Sequence, residues 1–480
     1  MLCFYHLIFS LLILYYICSL NKIKQFSLLI LYLLQQNNKL MTFRKLKLSL
    51  CLAFSTCAFE SIAQSSLNGS DNQYNTITTA VPFMRISPDA RSGAMGDVGI
   101  AISPDANSQF WNVSKLAMAE KELGFSVTYT PWLKDLVPDI FLAYISGYAK
   151  FGDKDNKNQA ISFSMRYFSL GDINYTTIDA QPAGTGKPRE FSLDLGYSRK
   201  LSDNLSIGIA GKYIHSNIIN GAGNSNGVTY KPGNAAAVDF GLFFTKPLKQ
   251  KDDAILPSSI NAGLAITNLG SKISYSNDRK DFIPTNLGLG FAYNYGIDEF
   301  NKFTIALDAN KLLVPSPGYV VDASGNVTQT YPYDKTVMSG VFGSFSDAPG
   351  GSSEEIKEIM LSIGAEYSYQ NQFFARAGYF YENKYKGDRK YFTLGLGVKY
   401  SVLGLNFAYL VPSGSGINKN PLSNTLRFSL LFDFDNLRNL VLPDNAKKDK
   451  TKTDRKEKDK KDSASKPAPK PAPKTKRKNY

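Results

Sequence analysis

Cysteine is absent after residue 57: Cys3, Cys18, Cys51 and Cys57 all lie near the N-terminus. The body of the chain therefore has no disulfide framework, no thiol nucleophile and no cysteine-ligated metal. Histidine is almost as scarce, with His6 and His215 the only two in 480 residues. A Ser-His-Asp mechanism needs an imidazole facing its nucleophile. Counting by twos from Tyr213 puts His215 on the apolar face of its segment instead. The expectation is a protein that is not an enzyme, with no catalytic, cofactor-binding or metal-ligating residues and no cofactor.

Excess charge is also missing where it would matter. The formal net charge is +14, but the excess sits at the ends. Residues 1–64 carry six bases against Glu60, and residues 447–480 carry 15 bases against 5 acids. Between them, residues 65–446 hold 34 bases and 35 acids. The body is near neutral, so nucleic acid is not an expected partner.

The N-terminus reads as two starts. From Met41, "MTFRKLKLSLCLAFSTCAFESIAQ" has the basic, apolar and small-residue parts of a secretory signal peptide over 41–63, with the mature chain beginning near Gln64. Residues 1–40 read as an upstream mis-start or an extra hydrophobic leader. At the other end, "KPAPKPAPKTKRKNY" closes a Lys/Asp/Pro/Ala tail over 435–480. That composition cannot bury a core and reads as a disordered basic tail in the periplasm.

What is present in quantity is alternation. In "YFTLGLGVKY", Phe392, Leu394, Leu396, Val398 and Tyr400 share one face, with Thr393, Gly395, Gly397 and Lys399 on the other. Successive strand side chains point to opposite sides of a sheet, so each such segment has one apolar and one small or polar face. Segments of about 9–13 residues suit tilted strands crossing a bilayer, longer than most soluble strands. The 28 Tyr and 31 Phe supply aromatic girdles.

The pattern gives fourteen segments: 122–130, 139–150, 158–177, 188–199, 204–216, 234–246, 258–267, 284–295, 302–312, 358–369, 372–382, 389–400, 404–411 and 424–434. The fold class is all-β, a transmembrane antiparallel β-barrel over 122–434 with an N-terminal plug segment over 64–121. Turns such as "KLSD" and "YQNQ" are short, whereas 217–233, 268–283 and 313–357 are long, the asymmetry of periplasmic turns and extracellular loops. Glu354 and Glu355 in the longest loop read as solvated charge. The last strand, "TLRFSLLFDF", puts Leu426, Phe428, Leu430, Phe432 and Phe434 on the lipid side.

The stretch Ser87–Asn112, "SPDARSGAMGDVGIAISPDANSQFWN", is crowded with Gly, Asp and Asn. Its glycines, Gly93, Gly96 and Gly99, are three apart and do not match a dinucleotide loop. From Asp105 it starts like a calcium loop, but the sixth position is Phe110 and the twelfth Leu116. Turns and caps in a folded plug explain these residues better.

"TTAVPFMRISPDARSGAMGDVGIAISPDANSQFWNVSKLA", with "SVTYTPWLKDLVPDIFLAYISGYAKFGD" and "MRYFSLGDI", resembles the PorV family of the type IX secretion system, itself similar to the FadL-like (OmpP1) barrels. The likeness is strongest over Thr78–Ile173. Family members commonly carry an Asn-Pro-Ala type sequence where this chain has Asn112, Val113 and Ser114.

The resemblance implies a fourteen-stranded bacterial outer-membrane barrel whose plug enters or lines the lumen from the periplasmic side. It implies a component that binds the C-terminal signal domains of cargo leaving a large outer-membrane translocon. That component would deliver cargo to a sortase-like surface attachment complex, with outer-membrane lipid as its other partner. The extracellular loops would make the contacts, and Tyr319, Phe342 and Phe345 are the candidate partner-binding residues, since buried aromatics often dominate interface energy. The alternative implied by the same likeness is a FadL-like transporter of hydrophobic small molecules.

Overall fold

The computed structural model describes residues 74–435 except 133–138, 154–155, 177–178, 219–223, 226–227, 249–257, 278, 322–326 and 412–424. The expectations for residues 1–40, the signal peptide and the basic tail lie outside the described residues.

Fourteen antiparallel strands close into one barrel. They are Leu123–Pro131, Ile140–Asp153, Asn156–Leu170, Arg189–Lys200, Leu205–Asn217, Gly233–Leu248, Ser258–Gly270, Asn286–Gly296, Asn301–Leu312, Met360–Tyr369, Phe373–Tyr381, Lys390–Tyr400, Leu403–Val411 and Leu426–Phe434. Closure comes from the first and last, paired from Leu123 opposite Phe434 to Tyr129 opposite Phe428. Closing the sheet removes its edges, which a bilayer requires because lipid offers backbone groups no partner. Among the described residues no helix is long and apolar enough to cross a membrane.

Hydrophobicity is inverted relative to a soluble fold. The outward residues Ile161, Phe163, Leu193, Leu195, Leu394, Leu396 and Phe428 are exposed, while their inward neighbours Ser162, Ser164, Asp194, Thr393, Arg427 and Ser429 are buried. Lipid covers the first set, so burial in the bilayer stabilises the face that water would penalise. Aromatic side chains collect at both rims: Tyr129 packs on Phe141 and Phe141 on Tyr167 at one, and Phe151 on Tyr197 at the other. His215 sits among the first group, against Phe191 and Asn234.

One end of the barrel has short turns, at 201–204, 297–300, 370–372 and 401–402, and the other has the long connections 171–188, 271–285 and 313–359. The tightest turns use left-handed residues, Gln370, Asn371 and Ser401. The third strand corrects the sequence reading of 158–177. It runs from Asn156 to Leu170, breaks at Gly171 (φ 81°), and a separate hairpin follows, Ile173–Thr176 with Pro182–Gly186. A second correction concerns 313–357. That loop carries the hairpin Gly318–Val321 with Val327–Thr330 and the helices Val337–Gly343 and Ser352–Lys357.

Residues 74–122 occupy the lumen. They begin at the long-loop end, where the Asn75 amide donates to Tyr385 and Ala80 to Phe282. They end at the short-turn end, where Glu122 donates to Phe434 and leads into the first strand. The segment thus threads the height of the barrel, rather than entering from the periplasmic side alone. Its upper part buries Val81, Phe83 and Met84 against Leu142, Phe168, Ile214 and Ile273.

Candidate functional site

Inward-facing side chains of the wall hold the luminal segment by its backbone. Asp308 accepts hydrogen bonds from the amides of Gly99 (2.7 Å) and Ile100 (3.0 Å). Asn261 donates to the Ala101 carbonyl (3.1 Å), Ser206 to the Ser114 carbonyl (2.7 Å) and Arg166 to the Met84 carbonyl (3.0 Å). A non-regular segment out of contact with bulk water must find such partners, and polar strand faces supply them.

The aspartates of the opening stretch act within this packing. Asp89 caps the short helix Ala90–Ala94 by accepting from Ser92 N, and also accepts from the Trp111 indole (2.7 Å). Asp105 accepts from Asn107 N and pairs with Arg91 at 3.1 Å. Asn112 accepts from both the amide and hydroxyl of Ser114 at the start of the 3-10 helix Val113–Met118. Val113 takes the first helical position, where proline is generally favoured. The turn forms with Asn-Val-Ser through this side-chain cap.

Close approach explains two glycines. Gly96 has φ 72° and packs on the Tyr379 backbone, and a Cβ on Gly378 would meet Met95 C at 2.0 Å.

At the long-loop end, two lysines bridge three glutamates. Glu358 accepts from Lys311 (2.5 Å), Lys386 (2.8 Å) and Ser316 (2.5 Å). Glu355 pairs with Lys311 at 2.9 Å, and Glu354 with Lys386 at 2.6 Å. Glu354 also accepts from Asn75 (2.8 Å) and from Gly350 N (2.7 Å), so the loop is bound to the barrel and to the luminal segment. Partial burial pushes the Glu354 carboxyl up, but the hydrogen bonds from Lys386, Asn75 and Gly350 outweigh this and hold it below the ordinary glutamate range. The expectation of solvated charge at Glu354 and Glu355 is overturned: both are tied into a part-buried ion-pair network.

On this platform the loop shows an apolar surface. Met338 (51 % exposed), Phe342 (69 %) and Phe345 (50 %) follow one another at i, i+4 and i+7, so they share a helical face that Phe345 continues past the helix end. Ile356, on the helix Ser352–Lys357, is 69 % exposed. Of the three candidate aromatics, Phe342 and Phe345 therefore lie on one exposed face. Tyr319 is half-buried in its hairpin, its hydroxyl directed to the Tyr74 carbonyl at 3.4 Å. Sequence reasoning missed Met338 and Ile356. The 338/342/345 spacing was the available signal for Met338, but it is visible only once this part of the loop is read as helix.

Two cavities complete the site. A small one of about 100 Å³ lies in the lumen beside Asp97, Lys212, Asn286 and Tyr391. A larger cup of about 420 Å³ opens at the long-loop end, between Thr78–Pro82 of the luminal segment and Tyr331–Tyr333 of the long loop. Among the described residues no group of three or more His, Cys, Asp or Glu could hold a metal ion.

The family model described as "Type IX secretion system protein PorV" matches residues 69–319, more than half of the chain. No curated protein matches by sequence. Solved structures with a similar course include the Ralstonia pickettii toluene transporter TbuX, at 10 % identity over 72 % of this chain and 98 % of that one, TM-score 0.40. The P. putida toluene transporter TodX is 12 % identical over 72 % and 99 %, TM-score 0.40. A Pseudomonas aeruginosa FadL homologue is 11 % identical over 75 % and 99 %, TM-score 0.36. At that level of identity and superposition they say nothing about what this chain binds.

Proposed function

The chain belongs to the PorV family of type IX secretion system proteins, and on that premise we propose that its long-loop end receives the C-terminal signal domains of secreted cargo. It takes them as they leave the outer-membrane translocon and hands them to a sortase-like attachment complex at the cell surface. Family and fold together support an outer-membrane component of the type IX system, of a non-enzymatic kind.

The observation that carries the cargo-binding reading is the exposed apolar face Met338–Phe342–Phe345, on a loop anchored by the Lys335–Asp347 pair beside it and by the Lys311–Glu358–Lys386 network farther on. Large apolar side chains on a braced loop outside the membrane are what a protein partner covers. Tyr319, on the hairpin of the same loop, is the third partner-binding candidate, and its hydroxyl is directed to the Tyr74 carbonyl. Transport of hydrophobic small molecules is supported less well, because the luminal segment is hydrogen-bonded to the wall along its length.

Mild-detergent pull-down of a tagged Phe342→Asp/Phe345→Asp double variant tests this. Loss of cargo with an intact, heat-modifiable barrel is expected. Cargo recovery equal to that of the unaltered protein would refute the assignment.

A further inference from the structure

Nine acidic side chains are buried among the described residues, and eight of them are answered by a cation or by backbone amides. Glu366 has two arginines; Glu355 and Glu358 have lysines; Glu382 has Arg389; Asp194 and Asp239 face Lys212. Asp89 and Asp308 accept from backbone N–H groups. Glu190 is the exception.

Glu190 is 2 % exposed, and its side chain accepts from the Ser216 hydroxyl at 2.6 Å. Ser216 in turn accepts from the Tyr275 hydroxyl at 2.8 Å. Among the described residues no cation pairs with Glu190. A buried carboxylate is costly unless a charge or several donors meet it. Here that demand is left open at the lining of the 420 Å³ cup.

The rest of the lining specifies what could meet it. Phe168, Ile218, Tyr275 and Phe282 give apolar and aromatic walls. The cup's own cation, Arg279, is already matched by Asp281 at 2.7 Å and lies over the Tyr333 ring at 4.0 Å. That leaves one carboxyl with no cation beside it, in an apolar cup whose aromatic faces attract cations. A carboxylate-headed amphiphile would find no free cation in the cup, because Arg279 is held by Asp281.

We propose that the cup binds a cation carried on an apolar stem, the chemistry of a lysine or arginine side chain, with the cation on Glu190 and the stem along Phe168 and Tyr275. This goes beyond the secretion reading and stands without it.

The test uses the full chain, purified in detergent, with binding followed by saturation-transfer NMR. The probes are hexylamine, hexanoate, hexan-1-ol and the peptide acetyl-Leu-Val-Lys-amide. Hexylamine and the peptide should bind, and hexanoate should not. Glu190→Gln, which keeps the shape and the Ser216 partner, should weaken both cations about tenfold or more while hexan-1-ol is unaffected. Ile218→Trp, which fills the cup from its exposed rim, should abolish binding of all probes. A clear preference for the peptide assigns the site to a polypeptide side chain, and a preference for hexylamine to a free amphiphilic amine. The proposal is overturned if neither cation binds, if hexanoate binds as well as hexylamine, if Glu190→Gln changes nothing, or if Ile218→Trp leaves hexylamine bound. The readout is independent of cargo, so its failure leaves the role of Phe342 and Phe345 untouched.

Discussion

Arg91 of the luminal segment and Glu366 of the barrel wall form a two-pronged ion pair, Nε to Oε2 at 3.1 Å and Nη2 to Oε1 at 3.0 Å. Arg376 completes it from within the wall, Nε to Oε2 at 2.6 Å. The carboxylate thus bridges two guanidiniums across the junction between segment and barrel, with Asp105 meeting the second positive charge at Arg91. Glu366→Gln leaves buried positive charge unmatched and should destabilise the assembled protein by roughly 3–5 kcal/mol. Thermal loss of heat-modifiable gel mobility measures this, and an unchanged midpoint would show that the pair does not hold the segment in place.

Gly378 faces the same junction. A Cβ there would meet Met95 C at 2.0 Å and Gly96 N at 2.1 Å, backbone atoms that cannot rotate away. Gly378→Ala should cost about 1–3 kcal/mol or displace the luminal segment. Protease access to residues 90–100 in the assembled barrel distinguishes displacement from simple strain.

The outward face is tested by charge. Leu195 is 72 % exposed on a membrane-spanning strand. Leu195→Arg should therefore destabilise the barrel in lipid by about 2–4 kcal/mol if the site lies near the bilayer centre. The same change on a water-facing surface would fall within about 0.5 kcal/mol.

Acid should loosen the long loop. Glu354 has its carboxyl held below the ordinary glutamate range, so its contribution is present above the unfolded value near pH 4.5 and is lost as pH falls through the lower folded value. Proteolytic nicking within 313–359 should stay flat from about pH 8 to 5 and rise below about pH 4. Lys386→Met, which removes a partner of both Glu354 and Glu358, should raise nicking already at neutral pH.

The barrel was legible in the sequence because its determinants are local. Alternation within a segment such as Lys390–Tyr400 reports both faces of that strand without reference to any other. The third strand was overrun because Tyr167–Thr176 keeps strand-like composition through the break at Gly171, whose positive φ leaves little trace in the pattern. The luminal contacts were not legible for a different reason. Arg91 and Glu366 are 275 positions apart, and nothing near either residue names the other. Glu355 likewise reads as solvated charge until the barrel brings Lys311 beneath it.

The most direct test of the cargo-binding account is site-specific photocrosslinking in living cells from position 345, with position 195 on the lipid face as control. The account predicts adducts at 345 with secreted proteins that share a C-terminal signal domain, and none of these at 195. Adducts at 345 with lipid alone, or the same proteins captured equally at both positions, would contradict it.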